Sequence, residues 1–112
     1  MWLATQYGYY SIVKKAGDTY FVRARVRQDL VNLVKLLDLE AEVLEWDQAD
    51  YRYRIVVNQQ SFLVIMMKLS TTLDYPNFKG RIEQVEDQRN KLGAYHQIWA
   101  TMANFQSEEA AT

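Results

Sequence analysis

Residues 21–27 read FVRARVR, with an arginine at every second position and small apolar residues between the arginines. Successive side chains of a β-strand point to opposite faces. The spacing therefore predicts a strand with Val22, Ala24 and Val26 on one face and guanidinium groups on the other. Such a strand fits an antiparallel sheet that is covered by helices on one side and open on the other.

The remaining patterns predict two strand-strand-helix units and one further helix. The predicted strands cover 2–13, 19–27, 41–46 and 51–57, and the predicted helices cover 29–38, a segment after Asn58, and about 88–105. This order indicates an α+β fold (ββαββα plus a C-terminal helix) with an antiparallel sheet of about four strands and helices mainly on one face, ferredoxin-like or related. We expect one domain over 1–106 and a frayed tail over 107–112.

Composition favours a cytoplasmic protein without a membrane partner. The chain of 112 residues contains no cysteine, which excludes disulfides and fits a reducing compartment. Polar residues such as Gln6 and Ser11 interrupt the N-terminal segment, so it does not read as a signal peptide. No later apolar run approaches the roughly 18 residues of a membrane span.

The second arginine-bearing strand carries Arg52 and Arg54 between residues expected to face the helices, namely Tyr51, Tyr53, Ile55 and Val57. Both arginine rows then lie on the open side of the sheet. The first strand adds aromatic rings to that side in either register, with Trp2, Gln6, Tyr10 and Ile12 or with Leu3, Tyr7, Tyr9 and Val13 pointing outward. The candidate anion-binding or nucleic-acid-binding residues are Arg23, Arg25, Arg27, Arg52, Arg54 and Tyr10.

Two other interpretations of this face stay open. The acidic segment 38–50 is close in sequence to Arg52 and Arg54, so its carboxylates can neutralise the arginines or leave an ordinary solvated face. Tyrosine, tryptophan and arginine also dominate protein interfaces. The face can therefore serve a homodimer, or a small inhibitor-like partner of a larger bacterial complex.

Catalytic patterns are absent from the sequence. A single histidine and no cysteine exclude a two-histidine or thiolate metal site within one chain, and the glycines form no phosphate-binding loop. We therefore predict no cofactor and favour a non-enzymatic protein. The one alternative pocket that the sequence suggests combines Lys79, Tyr95 and His96.

Several short segments resemble a family of small uncharacterised bacterial proteins. They are Met1-Trp2-Leu3 with Thr5 and Gly8-Tyr9-Tyr10-Ser11, Val22-Arg23-Ala24-Arg25 with Asp29-Leu30, Asp50-Tyr51-Arg52-Tyr53-Arg54, Asp74-Tyr75 with Asn77-Phe78-Lys79, and Tyr95-His96 with Trp99. The resemblance covers nearly the whole chain. It implies a compact single domain and transfers no activity and no site residues.

Overall fold

A computed structural model describes residues 1–111 and shows an α+β fold, as the sequence predicts. The strands are β1 (Trp2–Ala4), β2 (Tyr9–Lys14), β3 (Thr19–Ala24), β4 (Leu44–Glu45) and β5 (Tyr53–Asn58). The helices are α1 (Arg27–Leu37), α2 (Gln59–Thr71), α3 (Phe78–Gln84) and α4 (Leu92–Ala111), and a 3-10 turn (Arg89–Lys91) precedes α4. None of the described helices combines the length and the apolar composition that a membrane crossing requires.

The described chain divides into two compact units, where the sequence predicts one domain over 1–106. Unit 1 is Met1–Asp74 and contains the sheet with α1 and α2, and unit 2 begins at Tyr75 and contains α3 and α4. Helix α4 continues to Ala111. The backbone of 107–111, predicted as a frayed tail, is therefore helical, and Thr112 lies outside the described residues.

The sheet of unit 1 has five strands in the order β1-β2-β3-β5-β4, and every neighbouring pair is antiparallel. This order does not confirm the ferredoxin-like specifics. The fifth strand arises because the first predicted strand is two strands joined by a turn at 5–8. The Thr5 hydroxyl accepts the backbone N–H groups of Tyr7 and Gly8, both at 3.1 Å, which closes this turn.

The turn leads into a buried contact that fixes the start of β2. Gly8 lies against Asp29, whose side chain is almost fully buried. The Asp29 carboxylate accepts the backbone N–H of Tyr9 at 3.1 Å, and its backbone carbonyl accepts the Tyr10 hydroxyl at 2.7 Å. A glycine is required at position 8 because a Cβ would lie 2.4 Å from the Asp29 Cβ.

One face of the sheet packs under α1 and α2. Its core residues are Tyr10, Ile12, Val22, Ala24, Ile55 and Val57 from the strands, Leu30 and Leu33 from α1, and Ile65 from α2. The alternation of Val22 and Ala24 therefore marks the covered face, as predicted. Helices α1 and α2 lie on one side of the sheet, because Leu30, Leu33 and Ile65 join the same core cluster as the covered face of the strands.

Helix α1 begins earlier than the sequence predicts, and this changes the place of one arginine. Strand β3 ends at Ala24, Val26 is the extended N-cap residue, and Arg27 is the first residue of the helix. The placement of Arg27 in the strand is therefore wrong. Strand β3 ends at Ala24 because Ala24 pairs with Tyr53, the first residue of β5, and no partner strand among the described residues lies beyond it. The two-residue alternation in the sequence continues past this point.

Unit 2 is built around aromatic contacts between α3 and α4. Asn77 caps α3 by accepting the backbone N–H of Gly80 at 3.0 Å. The rings of Phe78 and Tyr95 meet edge to face with centroids 4.9 Å apart, and Ile82 is fully buried. The first turn of α4 therefore packs within unit 2.

Candidate functional site

A row of side chains crosses the face of the sheet opposite to α1 and α2. Trp2, Ser11, Arg23, Arg54 and Leu44 lie directly opposite one another on successive strands. Directly paired residues of antiparallel strands share a face. Arg23 and Arg54 thus lie side by side on the face opposite to α1 and α2. We call this surface, together with the flanking Arg25 and Arg52, the open face.

The two outer arginines are matched by carboxylates. Arg25 Nη1 lies 3.5 Å from Asp50 Oδ1 and donates to the Asp50 backbone carbonyl at 3.1 Å. Arg52 contacts Glu45 Oε1 at 3.4 Å and Asp47 Oδ1 at 3.1 Å. The charges of Glu45 and then Asp47 raise the pKa of Arg52. The acidic segment therefore neutralises part of the open face.

The two inner arginines have no carboxylate partner among the described residues. Arg23 donates from Nη2 to the Ser11 hydroxyl at 2.7 Å, and Arg54 donates from Nη2 to the Tyr51 carbonyl at 2.8 Å. Both acceptors are neutral. The open face thus carries two adjacent positive charges that the surrounding residues do not balance.

Arg54 is the more constrained of the two, because only 4% of its surface is exposed. Its guanidinium lies 3.9 Å from the centre of the Trp46 ring and 5.5 Å from that of Phe21, and its Nε has no hydrogen-bond partner. Burial, and then the charge of Arg23, lower the pKa of Arg54. A buried cation without a carboxylate partner interacts more strongly with a nearby anion than an exposed cation does, because the surrounding dielectric constant is lower.

Tyr51 supplies a second aromatic platform that sequence reasoning placed wrongly. Its ring lies 4.7 Å below the Arg23 guanidinium and 4.3 Å below that of Arg25, although the alternation puts Tyr51 on the helix side. Strand β5 starts only at Tyr53, so Tyr51 is outside the alternating segment. Trp46 is not among the predicted site residues. The available signal for it is its position directly before the acidic turn 47–50.

Two predicted site residues are elsewhere. Tyr10 is 1% exposed and belongs to the core. Neither predicted register holds throughout, because the turn at 5–8 divides the first strand and leaves Trp2 of one set and Tyr9 of the other on the open face. Burial, and then the Tyr51 charge, raise the pKa of Tyr9. Arg27 is exposed on the first turn of α1, outside the rows that Arg23 and Arg54 form.

The alternative pocket is divided by the structure. Lys79 Nζ lies 3.2 Å from His96 Nδ1, and both residues line an open cavity of about 600 Å³ within unit 2. Tyr95 is 5% exposed and packs on Phe78. The predicted three-residue constellation is therefore reduced to an exposed Lys79–His96 pair next to Trp99.

Comparison with known proteins finds no matching family model, no matching curated protein and no matching solved structure. The functional argument therefore depends on the geometry of the described residues.

The arrangement on the open face can hold an anion. It combines two planar guanidinium groups, whose geometry matches phosphate and carboxylate oxygens, with flanking aromatic rings. No group of three or more histidine, cysteine or carboxylate side chains that could hold a metal ion occurs in the described part of the chain.

Proposed function

We propose that this protein is a non-enzymatic binding domain that holds a phosphate-bearing partner, a single-stranded nucleic acid or a phosphorylated ligand, against Arg23 and Arg54. The observation that carries the proposal is the burial of Arg54 beside Arg23 without a carboxylate partner. An isolated buried charge is strongly unfavourable unless it is paired. A phosphate group bound by the half-buried Arg23 guanidinium supplies the missing negative charge next to Arg54.

The aromatic rings of the open face support a partner with planar groups. Trp46 and Tyr51 flank the arginine pair, and Trp2 is 72% exposed at the end of the same row. Bases of single-stranded nucleic acids stack on such rings with little preference for sequence. We therefore expect single strands to bind better than duplexes, whose bases are already stacked.

Salt dependence tests the proposal quantitatively. Fluorescence anisotropy with labelled single-stranded RNA, single-stranded DNA and duplexes measures affinity between about 50 and 200 mM salt. Two phosphate contacts on a single strand give a log–log slope of about −1.4, or roughly sevenfold weaker binding over this range. Arg54→Met or Arg23→Met removes one contact, so the slope falls by about half and the affinity about tenfold.

Arg52→Gln is the matched control, because it also removes one arginine from the open face but one that Glu45 and Asp47 already match. Its binding should stay close to that of the wild type. Circular dichroism checks that each variant is folded. Absence of binding at about 50 mM salt, or equal losses for Arg52→Gln and Arg54→Met, would refute the proposal.

A protein-interaction module is the second candidate, and the exposure of apolar groups on the same face favours it. Trp2 is 72% exposed and Val56 is 43% exposed. Tryptophan and arginine are frequent anchors of interfaces. If the face binds a protein, Trp2→Ser abolishes that association and salt changes its affinity little. If the face binds phosphate, the affinity depends on salt and on Arg54.

A further inference from the structure

Helix α4 carries an apolar stripe that the described residues cover only in part, since Lys79 and His96 contact the ring of Trp99. The stripe consists of Ile98, Trp99, Met102 and Phe105, each between 47% and 61% exposed. The spacing i, i+1, i+4, i+7 places these side chains on one face of the helix. The stripe continues the face on which Tyr95 packs against Phe78 of α3, and Trp99 also contacts Lys79 of α3. Met102 and Phe105 lie beyond these contacts and are 60% and 61% exposed.

The stripe lies on a helix without charges. From Leu92 to Ser107 the sequence contains no lysine, arginine, aspartate or glutamate. Surfaces that face water in soluble domains carry charged residues at roughly a quarter to a third of their positions. Most of the stability of a helix in a protein comes from packing of its apolar face against a partner, and α4 is 20 residues long. Both facts indicate that the stripe is buried in an assembly.

We propose that α4 pairs with α4 of a second copy of this chain, in antiparallel orientation and centred on Met102. A two-fold axis at this residue places Met102 against its own copy and Trp99 of each copy against Phe105 of the other. A Trp99–Phe105 contact then lies on each side of the smaller contact between the two Met102 side chains. The stripe is thus complementary to itself.

The charges at the two ends of α4 determine the orientation. Arg89 and Lys91 lie immediately before the helix, and Glu108 and Glu109 lie in its last turn. Parallel pairing brings acids next to acids and bases next to bases. Antiparallel pairing about Met102 brings the acidic end of one copy toward the basic end of the other, and also opposes the two helix dipoles.

The exposed area indicates a weak dimer. Side chains of this size bury on the order of 150–250 Å² when fully covered, so the four that form the stripe hide roughly 400 Å² per copy. The pair then hides roughly 800 Å² in total, which is below the about 1,200 Å² at which specific, stable interfaces begin. We therefore expect a dissociation constant in the micromolar range.

Sedimentation equilibrium of the full chain, from about 1 to 500 μM, tests the dimer. The mass should rise from 13.2 kDa for one chain toward twice that value. Met102→Glu places two carboxylates at the two-fold axis and should weaken association at least tenfold. Met67→Glu is the matched control, since Met67 is 68% exposed on α2 and the change is chemically identical.

A mass of one chain at every concentration overturns the proposal. Association that survives Met102→Glu overturns it as well, as does equal weakening by Met67→Glu and Met102→Glu. Both substituted positions are well exposed, so neither variant is expected to unfold, and circular dichroism verifies this.

Spin labels distinguish the two orientations, because the chain has no cysteine of its own. Single labels at Ala94→Cys, Ala100→Cys and Ser107→Cys report distances between copies by electron paramagnetic resonance. In the antiparallel pair the distance is short for Ala100 and longer toward both ends, by up to roughly 20 Å along the axis for Ala94 at a rise of 1.5 Å per residue. Similar distances at all three positions indicate parallel pairing and overturn the proposed orientation.

Discussion

Gly8 is the position at which the structure makes its sharpest prediction about stability. A Cβ added there would lie 2.4 Å from Asp29 Cβ, 2.5 Å from Asp29 Cγ and 2.9 Å from the Tyr10 hydroxyl oxygen. Favourable contacts between carbon atoms require about 3.5–4.0 Å. Gly8→Ala is therefore compatible with the fold only if Asp29 moves.

Movement of Asp29 is costly because this residue is held at two points. Its carboxylate accepts the Tyr9 N–H and its carbonyl accepts the Tyr10 hydroxyl, and the residue is 1% exposed. Overpacking a core costs about 1–3 kcal/mol, and a lost hydrogen bond to a buried charged group costs about 1.5–3 kcal/mol. We expect Gly8→Ala to lower the free energy of unfolding of unit 1 by about 3–5 kcal/mol, a large part of the roughly 5–15 kcal/mol of a typical domain.

Urea unfolding followed by far-ultraviolet circular dichroism measures this loss, and amide hydrogen exchange in β2 and β3 assigns it to unit 1. Gly93→Ala is the matched control, because a Cβ at Gly93 meets nothing within 4 Å. It should stabilise α4 by about 0.5–1 kcal/mol, since glycine is unfavourable within a helix. A Gly8→Ala protein within about 1 kcal/mol of the wild type would show that Asp29 is not held as described.

Two further predictions concern unit 1. Asn58 accepts the Ser61 N–H at 2.8 Å and caps α2, so Asn58→Ala should cost about 1 kcal/mol in urea unfolding, whereas Asn104→Ala, within α4, should cost nothing. Burial, and then Tyr51, raise the pKa of Tyr9 above 10.0, so the folded state favours the neutral phenol. Its contribution to stability is full below pH 10 and declines as the pH rises through the raised pKa. Unfolding measured from pH 8 to 11 should show a smaller decline for Tyr9→Phe, and an identical decline would contradict the assignment.

The fold class followed from the sequence because apolar alternation reports which side of a strand is covered. Val22 and Ala24 are fully buried, and Arg23 lies on the other face, as the alternation predicts. The ends of the strands cannot be predicted from the same alternation, because they depend on where the neighbouring strand begins and ends. For this reason the predicted strands include Arg27 and Tyr51, which lie outside β3 and β5.

The composition of the candidate site was harder to predict than its location. Both arginine rows share the open face, but the sequence does not show which arginines the acidic segment reaches. That outcome depends on the β4–β5 connection, which brings Glu45 and Asp47 to Arg52 and Trp46 to Arg54. A contact between a tryptophan and a buried arginine leaves no periodic signal in a sequence.

The same geometry limits how large an anionic partner the open face can hold. Arg25 and Arg52 lie beyond the strand ends, where short carboxylate side chains of the acidic segment meet them, and Arg23 and Arg54 lie within the sheet. Of the four arginines on the open face, the inner pair is the one without a carboxylate partner among the described residues. A partner that relied on many phosphates would have to compete with the carboxylates at the rim. One or two phosphate groups seated over the inner pair avoid this competition, which is why the proposed site is a local phosphate site and not a general polyanion surface.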